Sequence, residues 1–116
     1  MNEHKTDMLA AVIGEFDLTT VAYVGSDEDF PDELLKRLDK EIEPPGESLA
    51  DVVYLDDYGP DRKVAIDACF SKVKEGGFLL GSGFLHKDVD TMRAVADSFN
   101  LMHVQVGPAG TWCVRK

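Results

Sequence analysis

Apolar and polar positions along the chain alternate between two periods, and each stretch predicts an element. Leu9, Val12, Ile13 and Phe16 recur at helical spacing. With Thr6 as a cap and Asp7 in the first turn they predict a helix over 6–16. Thr20-Val21-Ala22-Tyr23-Val24 is β-branched and aromatic and predicts a strand. After the polar loop Gly25-Ser26-Asp27-Glu28-Asp29, Pro31 opens a second helix, with Leu34, Leu35, Leu38 and Ile42 as its buried stripe and Pro44-Pro45-Gly46 as its stop. Asp51-Val52-Val53-Tyr54-Leu55 is an apolar strand that runs into Asp56, Asp57 and Tyr58. Gly59-Pro60 begins a third helix, with Ala65, Ile66, Cys69, Phe70 and Val73 inward and Gly76 as a left-handed C-cap. Phe78-Leu79-Leu80 has no polar alternation, as expected of a strand covered on both faces. A fourth helix follows the loop Gly81–Lys87, capped by Asp88, with Val89, Met92, Val95, Ala96 and Phe99 inward and Asn100 at its end. Met102–Val106 and Thr111–Arg115 then alternate strictly on either side of Gly107-Pro108-Ala109-Gly110, which predicts an antiparallel hairpin.

Strand, helix, Gly-Gly, strand is a crossover unit, and repeated units of this kind build a parallel sheet with helices on both faces. The fold expected is a single α/β domain over residues 1–116: a three-layer α/β/α sandwich, Rossmann-like, with a mostly parallel five-stranded sheet and a C-terminal antiparallel hairpin. In open sheets of this type ligands bind beyond the carboxyl ends of the strands. Those ends carry Gly25, Ser26 and Asp27; Asp56, Asp57 and Tyr58; and Gly81 and Ser82.

Composition narrows the class. The 116 residues suit one core, and 44% apolar content is enough to build it. No apolar run reaches bilayer length, and Met1-Asn2-Glu3-His4-Lys5 lacks the apolar core of a signal peptide, so a soluble cytoplasmic protein is expected. Cys69 and Cys113 fall on apolar faces and read as reduced core residues. The net charge is −10: residues 1–61 carry 17 acids and 4 bases, residues 62–116 carry 5 acids and 8 bases. Such a chain repels nucleic acid and anionic membrane, and its acidic half serves solubility unless it is a docking surface.

The order of elements resembles the class I S-adenosylmethionine-dependent methyltransferases. Val52-Val53-Tyr54-Leu55-Asp56 is similar to that family's fourth strand, which commonly ends in an aspartate. Val73-Lys74-Glu75-Gly76-Gly77-Phe78-Leu79-Leu80 is similar to its "L-K-P-G-G" helix stop, with Glu75 in place of proline, and Met102–Arg115 to its closing strands. The resemblance implies S-adenosylmethionine as cofactor, held at Gly25, Ser26, Asp27, Asp56, Asp57, Tyr58, Gly81 and Ser82. It also implies a small-molecule acceptor, with His86 or Asp56 as the base that takes its proton.

The departures are specific. Only one glycine stands in the loop after the first strand, where the family has a glycine-rich turn. Residues 26–50 have room for one crossover helix, not for the family's second and third strands with the acid that holds the ribose. A degenerate cofactor site is therefore expected, or a non-catalytic interaction module on a shortened fold. The strand at 20–24 becomes an edge, which either the Pro44–Ala50 segment covers or a second subunit pairs; a homodimer is expected, through that edge or through helix faces.

Other chemistry is open at single residues. Asp56 and Asp57, joined by Asp27 or Asp29, could hold Mg²⁺ through oxygen ligands; equally, they are acids at a helix start. His86 is a candidate base or a solvent-facing loop residue. His103 and Trp112 read as packing residues rather than ligands. No Cys/His set has zinc spacing, and there is no phosphate loop or serine nucleophile elbow.

Overall fold

A computed structural model describes residues 4–26, 48–84, 89–107 and 110–116. The expected helix over 31–42, Asp27, Asp29, the loop residue His86, the cap Asp88 and the Pro108-Ala109 part of the turn lie outside the described residues. The elements are α1 (His4–Glu15), β1 (Val21–Val24), β2 (Ala50–Leu55), α2 (Arg62–Ser71), β3 (Val73–Gly81), α3 (Val89–Ser98), a 3₁₀ turn (Leu101–His103), β4 (Val104–Val106) and β5 (Trp112–Arg115). They form a mixed α/β structure with a five-stranded sheet in the order β1-β2-β3-β5-β4. β1, β2 and β3 pair in parallel; β5 runs antiparallel to both β3 and β4.

The sheet splits the core in two. Side chains alternate across a strand, so β2 sends Val53 and Leu55 one way and Val52 and Tyr54 the other. Val53 and Leu55 join Ile66 and Cys69 of α2, Ala94 and Val95 of α3, and Leu79, Trp112 and Val114. Val52 and Tyr54 join Leu9, Val12 and Ile13 of α1 with Phe78, Leu80 and Cys113. Trp112 and Cys113 thus point to opposite faces, as neighbours on a strand must. The two cysteines, both buried and free, belong to different clusters.

Four local expectations are corrected. α2 does not run to Gly76: it ends at Ser71, capped by Lys72 in a right-handed conformation, and Val73 already pairs with Ala50 of β2. The next pair is Val52 with Phe78, so β3 carries a large bulge between the two registers. Gly-Gly serves that bulge. Gly76 has φ +83°, and a Cβ on Gly77 would strike the Asp51 carbonyl and come within 2.9 Å of Val73 Cγ1. The phase of α3 also differs: Thr91, Ala94 and Val95 are buried, while Val89 and Ala96 face solvent. Thr91 can sit inside because its hydroxyl accepts a hydrogen bond from Arg62 Nε at 3.0 Å. Phe16 lies just past α1, is partly exposed, and stacks on Phe78 at 4.8 Å between ring centroids. Asn100 caps the 3₁₀ turn rather than closing α3.

One carboxylate fastens β1 to β2. Asp51 Oδ2 accepts from the Thr19 and Thr20 backbone amides at 3.0 and 3.2 Å, and Lys74 Nζ stands 3.4 Å from Oδ1. Burial pushes its pKa up, but the amides of Thr19 and Thr20, the Thr20 hydroxyl and Lys74 outweigh that and hold it at about 2, below its ordinary 3.8. A depressed carboxyl contributes stability above its unfolded pKa and loses it as the pH falls through the folded one. Asp51→Ala should cost about 1–2 kcal/mol in chemical denaturation at neutral pH. The gap between wild type and variant should close as the pH falls from 3.8 towards 2.

Candidate functional site

The carboxyl ends of β1, β2 and β3 lie side by side, because the parallel registers Val24–Leu55 and Leu55–Gly81 align them. Gly25 and Ser26, Asp56 to Tyr58, and Gly81 to Phe84 therefore emerge along one rim. The chain leaves β2 by a shared acceptor: the amides of Asp56 and Asp57 both donate to the Val24 carbonyl, at 2.7 and 3.1 Å. On the next strand the Ser82 amide donates to the Leu55 carbonyl at 3.2 Å. These bonds bring the three strand ends into register and fix where their side chains start.

Asp56 is engaged from β1. Tyr23 Oη donates to Asp56 Oδ2 at 2.8 Å, and the Tyr23 ring lies 6.1 Å from that of Tyr54. The same phenol occupies the side of Gly25: a Cβ there would run into Tyr23 Oη and Cζ and come within 3.0 Å of Asp56 Cβ. Gly25 is thus a glycine because Tyr23 needs the space. Asp57 turns away from Asp56 and accepts from the Gly59 amide at 3.0 Å, the local turn before α2. Asp61 then caps α2 through the Val64 amide at 3.2 Å.

Tyr58, Ser82 and Trp112 form a second knot. Tyr58 Oη donates to the Ser82 carbonyl and accepts from Trp112 Nε1 at 2.9 Å, and that indole also reaches the Ser82 carbonyl at 3.2 Å. The indole packs on Gly81, where any Cβ would collide with it. Burial drives the Tyr58 phenol up to about 12, with Trp112 and the Ser82 carbonyl working in the other direction, so at neutral pH it is a neutral donor. Arg62 stands over the Tyr58 ring at 5.9 Å.

The rim brings together Gly25, Ser26, Asp56, Asp57, Tyr58, Gly81 and Ser82; Asp27 and His86 lie outside the described residues. Tyr23 is the participant that pattern reasoning missed. Its signal was available: Tyr23 and Gly25 are two apart, hence on one side of the strand, and a large ring beside a glycine marks a filled space. As a place where a ligand could press against bare backbone, Gly25 does not fit, because Tyr23 is already there. For a cation the donors are divided: Asp56 goes to Tyr23 and Asp57 to Gly59. Among the described residues no group of three or more His, Cys, Asp or Glu could hold a metal ion. Nor is any described helix long and apolar enough to cross a membrane.

The Trp112 knot can be checked directly. Gly81→Ala should displace the indole, cost about 1–3 kcal/mol by overpacking, and shift the fluorescence of the single tryptophan. Tyr58→Phe should cost less, because Trp112 Nε1 keeps the Ser82 carbonyl.

No family model matches the chain, and no curated protein matches it by sequence. Among solved structures it is similar to phosphoethanolamine N-methyltransferase 2 of Haemonchus contortus in complex with S-adenosyl-L-methionine, with a TM-score of 0.63 at 15% identity. The match covers 93% of this chain and 30% of that one, so the chain spans less than a third of the neighbour's length. At that identity the likeness is one of fold: the α/β architecture is methyltransferase-like.

Proposed function

We propose that this chain is a class I methyltransferase-like domain with a degenerate S-adenosylmethionine site, built as a three-layer sandwich that closes in an antiparallel hairpin. The fold likeness to a neighbour in complex with S-adenosyl-L-methionine supports the lineage. The observation that carries the degenerate site is Tyr23, whose phenol fills the side of Gly25 and takes the Asp56 carboxylate. In a working transferase of this resemblance the methionine end of the cofactor approaches bare backbone there. Here a side chain of the protein stands in that place, and the strand-end aspartate serves as its acceptor. The rim of Ser26, Asp57 and Ser82 remains as a polar surface for a nucleoside or another small molecule.

A second reading is an interaction module on the same shortened fold. It is favoured by a separate feature, the apolar strip at the opposite end of the strand order, where Leu101, Met102 and Val106 are exposed.

Thermal unfolding with S-adenosylmethionine and S-adenosylhomocysteine tests the first reading. A ligand at its Kd adds only about 0.4 kcal/mol to stability. A degenerate site should therefore give little or no rise in Tm up to about millimolar ligand. A rise already evident at micromolar ligand, growing with each further tenfold of ligand, would overturn the proposal, and would do so more strongly if Asp56→Ala abolished it.

A further inference from the structure

We propose that β4 is the contact surface for a second copy of this chain, the two β4 strands meeting across a two-fold axis. β4 ends the strand order, and on its outer side no strand pairs with it among the described residues. Leu101 is 50% exposed, Met102 89% and Val106 54%, all within one six-residue segment at this edge. Scattered exposed apolar side chains need no explanation, but three along one sheet edge do. Natural edges are guarded by lysine, proline or a bulge. Val104-Gln105-Val106 has none of these and is guarded only by its shortness, and no acid, lysine or arginine stands anywhere between Asp97 and Arg115.

Charge selects the occupant. The chain carries −10 overall, with its excess acid in the first 61 residues, while residues 62–116 sum to +3. Two copies therefore repel each other least where the C-terminal half and its neutral strip come together. A strongly charged partner would lose hydration against this strip without gaining an ion pair. A second copy offers apolar side chains against apolar side chains and an equally neutral strand. A two-fold contact uses one patch twice and closes, so it stops at the dimer.

Area sets the strength. The exposed parts of Leu101, Met102 and Val106 amount to on the order of 350 Å² per copy, against ~800 Å² per partner in a standard interface. The β4 backbone, His103 and Gln105 supply more, but the strand is only three residues long. The expected association is thus of roughly micromolar Kd. It is independent of the strand-end rim, which belongs to β1, β2 and β3.

Sedimentation of the full chain from about 1 µM to several hundred micromolar tests the proposal. The weight-average mass should rise from 12.8 kDa towards twice that and stop there. Met102→Glu combined with Val106→Glu places like charges across the axis at exposed positions. It should weaken association at least about tenfold while leaving the circular dichroism and Tm unchanged. Val64→Glu, at a 63% exposed apolar position on α2, should leave association unchanged. A monomer throughout the range, growth beyond the dimer, a dimer that survives the paired edge charges, or equal weakening by Val64→Glu would each overturn it.

Discussion

Everything in this molecule is arranged around a strand that has no outer face. Val52, Val53, Tyr54 and Leu55 are all fully buried, so β2 must have apolar cover on both sides and a strand on each edge. It requires α1 on one side, α2 and α3 on the other, and β1 and β3 beside it. Parallel pairing of β2 with β3 goes with the crossover through α2 that joins them. The carboxyl ends of three strands then lie together, so Asp56 and Asp57, which directly follow β2, sit on the same rim as Ser82 and Gly25.

Much of this was legible from pattern. The uninterrupted apolar run 52–55 identifies the central strand, and the alternating tail identifies strands that pair antiparallel. Leu9, Val12 and Ile13 correctly mark the face of α1. What failed was local. Gly76-Gly77 looks like a helix stop, because a glycine after an amphipathic stretch usually is one. Its use here depends on the Asp51 carbonyl, 26 residues earlier in the sequence, which no local pattern reveals. The phase of α3 departs from its apolar stripe because Thr91 is buried, which the hydrogen bond from Arg62 makes acceptable. These are tertiary overrides of sound local rules.

The rim was legible as a location and not as a chemistry. Asp56, Tyr58 and Ser82 fall where strand ends must fall, but their partners come from β1 and β5: Tyr23 and Trp112. The glycine at position 25 has a physical reason in the geometry: a Cβ there would run into the Tyr23 ring. Asp27 and His86, the two other residues named for this rim, lie outside the described residues. Fold likeness to a methyltransferase describes the scaffold without supplying an acceptor or a reaction.

The division of the core into two clusters has one more effect. Cys69 lies on the inner face of α2, and Cys113, on β5, lies across the sheet in the cluster of α1. A β-sheet stands between the two sulfurs, so they cannot bond to one another while the sheet is intact. Burial also raises both thiols, Cys113 to about 12, which leaves little thiolate to react at neutral pH. Each sulfur is thus a sentinel for its own side of the molecule. A thiol reagent that modifies one cysteine before the other reveals which helical layer lifts off first.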